Sequence, residues 1–372
     1  MQAYESCSSF TKVVGLLAVL ACLFAGVERT EAAAITLTQI STAFNTPIGI
    51  DYHEPTNSIV ASVNYSSGLP RNFERINFDG SHTPFSTVSG FTDEVKIATV
   101  RSGGGGGFTT GDLFTGNGVD GQIVRITNGG ATVINPFVDL PGAGNGLLRG
   151  SLYLDRTGVF GGDLVAVTTG GEVWRVTAAG VPTQLADVNT HLEGVLTVPN
   201  DGATYGPLAG KILAGAEQQG RLYTIDTAGN VQFFTLGVNI EDIDLIPANE
   251  NFFGVNFGTS RILGAPASEF SSLVGDLLLT QELPAGGGVG LYRLFWNGAA
   301  LQTEQLTLTP GSANVGQWEH VTFSPAGIDP IPPTTPIPEP SSLTLLGLGV
   351  IGLLGCMWWR RQRRCGATEV TA

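Results

Sequence analysis

Hydrophobic positions along this chain come in short runs of Val, Ile, Leu, Phe and Thr, and each run is broken by Gly, Asn or Asp. Apolar runs of this length between turn residues are typical of β-strands, and no long stretch has the 3.6-residue period of an amphipathic helix. The 52 glycines fit many tight turns. The pattern predicts an all-β domain over residues 35–328.

One unit recurs along this domain. An apolar strand, often opening with Gly-Asp, is followed by a polar gap, a strand containing arginine or tyrosine, and a further short strand such as "VQFFTLG". The copies are "NSIVASVNYSSGLPRNFERINFDG" from Asn57, "GDLFTGNGVDGQIVRITNGG" from Gly111, "GDLVAVTTGGEVWRVTAAG" from Gly162, "GKILAGAEQQGRLYTIDTAGN" from Gly210 and "GDLLLTQELPAGGGVGLYRLFWNG" from Gly275.

A second element precedes most copies and supplies a first strand. Its members are "PIGIDYHEP" from Pro47, "DEVKIATV" from Asp93, "LRGSLYLD" from Leu148, "LEGVLTVPN" from Leu192, "IEDIDLIPA" from Ile240 and "WEHVTFSPA" from Trp318. Each unit thus has four strands over roughly 40 to 55 residues, the spacing of β-propeller blades around a central channel. We therefore predict a β-propeller.

The interval from Glu241 to Glu319 is too long for one unit. It contains "NFFGVNFGTSRILGAP" from Asn251, which is either a compact extra blade or part of a long insertion. The prediction is five or six blades, with six favoured.

The combination of "LEGVLTVPNDG", "GKILAG" and "GRLYTIDTAGN" resembles the superfamily of NHL-like and gluconolactonase-like six-bladed propellers. The resemblance covers most of the domain and lies in the strand pattern, without a diagnostic motif. It implies the fold and leaves the function open, because propellers host binders, lyases, lactonases and scaffolds.

Candidate chemistry comes from aligning the first strands, whose equivalent positions converge on one channel mouth. At one aligned position the units carry Glu193, Glu241 and Glu319, while two other units carry Arg149 and Ile48. Further ionisable residues lie beside this position: Glu94, Asp242, His320 and His191. Carboxylates with an imidazole suit Ca²⁺ or another divalent cation. The predicted metal ligands are Glu193, Glu241, Glu319, Asp242 and His320.

Two alternatives to a metal site stay open at this mouth. The acids can hydrogen-bond backbone amides of the neighbouring blade, with Arg149 neutralising part of the ring, or one of them can act as a general base. The resemblance to gluconolactonase-like enzymes implies an acidic metal site with an early glutamate, but the first unit has Ile48 at that step.

Composition excludes several other functions. Residues 35–340 hold 28 acidic and 12 basic residues, a net charge of about −16, which argues against nucleic acid as a partner. The four cysteines (Cys7, Cys22, Cys356 and Cys365) all lie outside the domain, so it has no disulfide or thiol catalyst. Serine-hydrolase elbows and phosphate-binding loops are also absent from the sequence. No catalytic residue is predicted.

The N-terminal residues 1–34 have the parts of a secretory signal peptide. Lys12 precedes the apolar run Val13–Val27, and the small residues Ala32, Ala33 and Ala34 follow it. A lipoprotein signal at Cys22 is the alternative. Either way, export is predicted.

The C-terminal end begins with a proline-rich spacer, residues 329–340, which contains Pro338, Glu339 and Pro340. An apolar segment follows at 341–359, and its 17 residues from Leu343 would form a helix of about 25 Å, enough to span a membrane. The basic tail, residues 360–372, carries the predicted membrane stop: Arg360, Arg361, Arg363 and Arg364.

The order of Pro-Glu-Pro, apolar helix and arginine cluster resembles the PEP-CTERM sorting signal of Gram-negative bacteria. The resemblance implies recognition and cleavage by an exosortase, a membrane protease, after a single-pass stage in the inner membrane. It also implies delivery to the cell envelope, surface or extracellular matrix. The eight residues after Arg364 depart from such tails, which commonly end soon after the arginines.

These features together predict an exported, surface- or matrix-sorted propeller without enzymatic activity, which binds a glycan or protein through one face. The alternative is a metal-dependent hydrolase or lactonase at the channel mouth. A divalent cation such as calcium is the only cofactor that the pattern suggests.

Overall fold

The fold is described from a computed structural model. It describes residues 34–327 except 42, 78–80, 104, 143, 145, 150, 283–289, 311, 314 and 326. The predicted signal peptide, membrane helix and basic tail lie outside these residues. Among the residues described, no helix combines the length and apolar character needed to cross a membrane.

Twenty-four strands are present in the described part. The first twelve are β1 (Thr38–Gln39), β2 (Ile50–His53), β3 (Ser58–Ser62), β4 (Phe73–Ile76), β5 (His82–Pro84), β6 (Ile97–Thr99), β7 (Leu113–Gly116), β8 (Gln122–Thr127), β9 (Thr132–Asp139), β10 (Ser151–Leu154), β11 (Leu164–Val167) and β12 (Glu172–Val176). The others are β13 (Pro182–Asp187), β14 (Glu193–Thr197), β15 (Ile212–Ala216), β16 (Arg221–Ile225), β17 (Val231–Thr235), β18 (Ile240–Leu245), β19 (Asn251–Asn256), β20 (Arg261–Ala265), β21 (Leu277–Gln281), β22 (Gly290–Trp296), β23 (Leu301–Gln305) and β24 (Trp318–Ser324).

Helices are few and short in the same region. There is one four-residue α-helix, Gly202–Tyr205, which Asp201 caps by accepting from the amides of Ala203 and Thr204. The 3₁₀ turns are Glu54–Thr56, Asn128–Gly130, Gly206–Leu208, Glu217–Gln219, Phe257–Thr259 and Ala267–Leu273. The predicted all-β class is confirmed.

The strands form six antiparallel sheets of four strands each, which are the blades of a propeller. Blades 1 to 4 follow the chain as β2-β3-β4-β5, β6-β7-β8-β9, β10-β11-β12-β13 and β14-β15-β16-β17. Blade 5 is β18-β21-β22-β23 and blade 6 is β24-β19-β20-β1. The innermost strands β2, β6, β10, β14, β18 and β24 contact one another in sequence, and β24 returns to β2, so the ring is closed.

Blades 5 and 6 are interleaved in the chain. After β18, the chain crosses to blade 6 for the hairpin β19-β20, returns to blade 5 for β21 to β23, and enters blade 6 again as β24. The segment from Asn251 is therefore both an insertion into one blade and the middle of the next. Six blades, the favoured count, are present.

The N-terminal strand closes the ring by joining the outer edge of blade 6. Thr38 and Gln39 pair with Gly264 and Leu263. Just before them, the Ile35 amide donates to the Thr307 carbonyl at 2.8 Å, and the side chain of Ile35 is fully buried. The two ends of the domain are thus held in the same blade.

Each pair of neighbouring blades encloses its own hydrophobic cluster, and six such clusters are found among the residues described. Both faces of the first two strands of a blade are buried. In β19, the second strand of blade 6, Phe252 packs towards blade 5 and Phe253 towards blade 1. This explains why these strands are continuously apolar instead of alternating. All six clusters lie within residues 35–323, so the propeller has the complete core of an independently folding unit.

Candidate functional site: a glutamate-rich channel mouth

Six glutamates surround one mouth of the central channel, which we call the glutamate mouth. Three come from the innermost strands, one precedes β6, and two follow the second strands of blades 4 and 5. In chain order they are Glu94, Glu193, Glu217, Glu241, Glu282 and Glu319.

Irregular strand pairing places the three inner-strand glutamates. The register of β14 against β15 shifts between Glu193 and Val195, and that of β18 shifts across Glu241. A third shift occurs where β24 carries Glu319. A β-bulge adds a residue to one strand and redirects the side chains beside it.

Gly194 shows why the first bulge needs glycine. Its φ is +58°, and a Cβ at this position would lie 2.9 Å from the Cα of Asp242. Any other residue would be strained and would push β14 away from β18. The glycine therefore keeps Glu193 close to Glu241.

Lys96 supplies the positive charge at the centre of the mouth. Its side chain is 1% exposed, and its Nζ donates to Glu241 Oε1 and lies 3.9 Å from Glu193 Oε2. Burial alone would lower the pKa of Lys96, but the charges of Glu241, Glu193 and Glu319 raise it well above its usual value. The lysine is thus a permanent cation inside an acidic cluster.

Burial also shifts the glutamates, in the direction of the protonated form. Desolvation and the charge of Glu193 raise the pKa of Glu241 to about 8. Desolvation and the charge of Glu241 raise the pKa values of Glu217 and Glu282 to about 7 each, and they raise that of Glu319 well above its usual value. The cluster therefore retains protons at neutral pH.

Three of these glutamates converge closely enough to bind one ion. Glu193, Glu217 and Glu241 each offer a carboxylate oxygen, and the three oxygens lie within 4.8 Å of one another. Hard cations such as Ca²⁺ prefer such oxygen ligands. Glu217 is only partly buried, so the trio, hereafter the glutamate trio, is accessible from solvent.

The other three predicted metal ligands, Glu319, Asp242 and His320, are not part of the glutamate trio. Glu319 accepts from Gln317 Nε2 at 3.2 Å, beside the glutamate trio. Asp242 Oδ2 accepts from the Val321 amide at 2.8 Å, and His320 Nε2 is 3.5 Å from the same oxygen. His320 Nδ1 accepts from the Ile50 amide at 3.1 Å, so this lone pair is already used.

Asp242 and His320 therefore tie three inner strands together inside the channel. Both border a cavity of about 20 Å³, which has room for one water molecule. Burial, reinforced by the charge of Lys96, lowers the pKa of His320 to about 3, so the imidazole is neutral. Their contacts fit the hydrogen-bonding alternative of the sequence analysis better than they fit metal ligation.

Arg149 and Ile48 occupy, in other blades, the position equivalent to that of the inner-strand glutamates. Arg149 lies 2.7 Å from Asp93 and 3.3 Å from Glu94, and Ile48 is buried. His191 Nε2 lies 2.8 Å from Glu193 Oε1, although the approach is poorly directed for a hydrogen bond. Burial lowers the pKa of His191, so it does not add a positive charge at neutral pH.

Sequence reasoning missed Lys96, Glu217 and Glu282. The available signal was positional: Lys96 is the lysine of a first-strand element, "DEVKIATV", otherwise rich in acids and apolar residues. Glu217 and Glu282 each follow the second strand of a unit, in "AGAEQ" and "LTQE". Because the second strand runs antiparallel to the first, its end lies at the channel mouth, where the first strand begins.

The opposite end of the channel is closed by a polar network. Arg101 donates to Asp51 and Glu250, at 3.1 Å each, and to the Phe323 carbonyl at 2.6 Å. Asp51 also accepts from the Thr99 amide at 2.7 Å. These bonds join blades 1, 2 and 6, and they indicate a structural role.

Comparison with known proteins identifies the C-terminal segment. Residues 336–362 match the model of the PEP-CTERM protein-sorting motif. The chain carries a PEP-CTERM signal. A signal of this kind indicates export through exosortase processing to the cell envelope or surface of Gram-negative bacteria. The match confirms the predicted PEP-CTERM signal.

The propeller is distantly similar to several solved structures. None of the curated proteins matches the chain. Among solved structures, a streptogramin B lyase is 12% identical over 79% of this chain and 82% of its own, with a TM-score of 0.46. Virginiamycin B lyase from Staphylococcus aureus is 15% identical over 78% and 95%, with a TM-score of 0.45. A putative gluconolactonase is 12% identical over 76% and 85%, with a TM-score of 0.48. At this level the similarities do not indicate an activity.

Proposed function

We propose that the protein is a non-enzymatic binding protein of the cell surface or extracellular matrix, and that its ligand is held at the glutamate mouth through a divalent cation such as Ca²⁺. The observation that carries the proposal is the convergence of Glu193, Glu217 and Glu241 within 4.8 Å. Sorting to the surface would display this mouth to extracellular polysaccharide.

The charge balance supports cation binding. Lys96 offsets Glu241 and Arg149 lies beside Glu94, whereas six glutamates surround the mouth. The raised pKa values of Glu217 and Glu282 come from burial and mutual repulsion, so a bound cation would relieve an existing cost. Glu193, Glu217 and Glu241 would hold the ion.

The ligand class follows from coordination chemistry. Ca²⁺ takes six to eight oxygen ligands, and three carboxylates leave positions for other oxygens. Vicinal hydroxyls or carboxylates of an acidic glycan are suitable donors, and the half-buried Glu217 lies on the accessible side. We therefore propose an acidic polysaccharide as the ligand class.

Calcium titration of the propeller at pH 8 tests the cation site. We expect saturable binding by calorimetry and a higher melting temperature, with affinity at least about tenfold weaker in Glu217→Gln because one of three charged ligands is lost. Asp139→Asn, which removes a charge from an exposed outer strand, should bind like the wild type. Unchanged melting with calcium and with chelator would refute the site.

The glycan step needs a separate measurement. Electrophoretic retardation of the propeller in a gel containing a polyuronate should require calcium and be lost in Glu217→Gln. Calcium binding without any retardation would retain the ion site and reject the acidic-glycan ligand.

A metal-dependent hydrolase is the second candidate, favoured by one observation. Glu217 and Glu282 combine partial exposure with pKa values of about 7, the range suited to a general base. A cation held by Glu193, Glu217 and Glu241 would polarise the carbonyl of a lactone, and Glu282 would take a proton from the water that adds to this carbonyl. The ring ester bond would then break, and the leaving alkoxide would take up that proton. Calcium-dependent lactone hydrolysis that disappears in Glu217→Gln and persists in Asp139→Asn would favour this candidate.

A further inference from the structure

Aromatic side chains occupy the part of the glutamate mouth that blades 6 and 1 form. Phe257 follows β19 and has the hairpin position that Glu217 has after β15, because both open a 3₁₀ turn and an arginine begins the next strand. Tyr65 follows β3 in the neighbouring blade 1. The two rings pack edge to face with 6.4 Å between their centroids. These rings, hereafter the aromatic pair, thus stand where blade 4 presents an acid.

The Tyr65 ring lies within the charged surroundings of the mouth. Burial and the charge of Glu94 raise the pKa of its phenol, and the charge of Arg149 opposes them. Asp93 and Glu319 add to the rise, so the phenol lies near acids of blades 2 and 6. The side chain is only partly buried, and its hydroxyl makes no hydrogen bond within the part of the chain that the structure describes. Tyr65 therefore offers a ligand an apolar ring with a polar tip.

The loop that carries Tyr65 is held by its own hydrogen bonds. Asn64 accepts from Asn45 Nδ2 at 2.8 Å and donates to the Arg71 carbonyl at 2.6 Å. The Asn64 carbonyl also accepts from the Gly68 amide at 2.7 Å. A ring that is already positioned in this way loses less conformational entropy when a ligand binds.

The aromatic pair borders the same opening as the glutamates. Gln317 Nε2 donates to Glu282 and, at 3.2 Å, to Glu319. The Gln317 carbonyl accepts from the amide of Gly258, the residue after Phe257, at 3.5 Å. An extended polymer that crosses the mouth can therefore contact the glutamate trio and the aromatic pair together.

We propose that the aromatic pair is a second subsite of the mouth, on which a neutral sugar unit stacks beside the uronate unit held by the cation; this inference rests on the proposed function. A sugar ring carries C–H groups on its faces and hydroxyls at its edge, which matches the rings of Tyr65 and Phe257 and the acids beside them. A second uronate fits less well, because Asp93 and Glu94 would repel its carboxylate. Arg149 already pairs with both of these acids. The mouth thus selects a heteropolysaccharide in which neutral and acidic units adjoin.

Two tetrasaccharides test the neutral subsite by calorimetry on the calcium-saturated propeller. The hyaluronan tetrasaccharide alternates a uronate with an uncharged sugar, whereas tetragalacturonate contains uronates only. Tyr65→Ala should weaken binding of the hyaluronan tetrasaccharide about tenfold and that of tetragalacturonate about twofold or less. Calcium affinity should not change, because Tyr65 is not among the three residues that would hold the ion.

Matched variants separate the ring from general effects of truncation. Phe233→Ala removes an aromatic side chain that is 52% exposed on the outer strand β17, and it should bind both tetrasaccharides like the wild type. Tyr65→Phe keeps the ring and should retain binding. Phe257→Ala is a second truncation if Tyr65→Ala folds poorly.

The outcomes distinguish this subsite from the cation site. The subsite is overturned, with the cation site intact, if the wild type binds calcium but not the hyaluronan tetrasaccharide. It is also overturned if Tyr65→Ala weakens binding of both tetrasaccharides alike or of neither. A wild type that binds no calcium would overturn the proposed function and the subsite with it.

Discussion

Lys96 ends inside the glutamate mouth, where its Nζ lies 3.9 Å from Oε2 of Glu193 and donates directly to Glu241. All three side chains are almost fully buried. The propeller thus carries one internal cation whose removal would leave buried carboxylates without compensation.

Lys96→Met should therefore lower the free energy of unfolding by about 3 kcal/mol at pH 8, where the neighbouring glutamates would need to remain charged. At pH 6.5 the loss should be smaller, because the same carboxyls can take up protons. Urea unfolding at both pH values measures the difference. Lys211→Met, which removes a peripheral lysine bound to Gln232, should change stability by about 0.5 kcal/mol or less. Equal losses for the two lysines would contradict the central role of Lys96.

In the presence of chelator, stability should fall as the pH rises from 6.5 to 8. Glu217 and Glu282, with pKa values of about 7, and Glu241, with a pKa of about 8, bind protons in the folded state that the unfolded chain has already released. The folded state therefore loses its advantage as the pH rises through these values. Unfolded histidines have an ordinary pKa of about 6.5, so their titration partly offsets this trend at the lower end of the window, and the slope is read in its upper half. The double variant Glu217→Gln/Glu282→Gln should flatten the dependence in thermal melts, and a rise in stability with pH would contradict it.

His320 should remain neutral throughout the range in which histidines usually titrate. Burial and the charge of Lys96 lower its pKa to about 3 in the folded state, from an ordinary 6.5. Its Cε1–H resonance should stay unchanged between pH 8 and pH 5, as followed by NMR with assignment from His320→Gln. The neutral imidazole contributes stability above pH 6.5 that is lost as the pH falls towards 3. A midpoint near 6.5 for this signal would show that the channel is more hydrated than its contacts indicate.

Leu37→Ala should destabilise the propeller by about 3 kcal/mol, because the side chain is 1% exposed and packs in the cluster between blades 5 and 6. The loss matters for the whole ring, since this segment closes blade 6 against β20. Equilibrium unfolding in urea provides the value. Val181→Ala, at a residue 57% exposed just before β13, serves as the control and should cost about 0.5 kcal/mol or less. Equal effects would mean that the N-terminal segment does not close the ring.

Glu339→Ala should leave the full-length chain in the inner membrane of a host that contains an exosortase, because the matched segment 336–362 begins at the Pro-Glu-Pro motif. Membrane fractions probed by immunoblot would show a larger, retained band. Glu369→Ala, beyond the matched segment, should be processed normally. If the wild-type tail also remains uncleaved, the segment acts as a plain anchor.

The strand pattern of this chain predicted the fold closely because burial on both faces leaves a direct mark on sequence. Runs such as "ILAGA" and "LLLTQ" mark the second strands of blades 4 and 5, and all six first-strand elements form the innermost strands of blades. Blade membership was harder to predict. The segment "NFFGVNFGTSRILGAP" forms a hairpin, but its residues do not indicate which strands flank it. In the structure, β1 from the start of the domain and β24 from its end complete the blade.

The site was predicted only in part, for a similar reason. Aligned strands identified Glu193, Glu241 and Glu319, but the register shifts beside them depend on contacts between blades, such as the approach of Gly194 to Asp242. Asp242 and His320 looked equivalent to the glutamates, yet their polar atoms are taken by backbone amides of neighbouring strands. Glu217 and Glu282 come from hairpin ends that no alignment of first strands includes.

The sequence by itself determined the all-β class, the repeat, the closed set of inner strands and the C-terminal sorting signal. Each of these is encoded by residues close together in the chain, through hydrophobic period, turn chemistry or a contiguous motif. Only the tertiary structure decided the interleaving of blades 5 and 6 and the placement of Lys96 among the glutamates. These depend on contacts between residues far apart in sequence, where packing and desolvation select one partner from many that the local pattern allows equally.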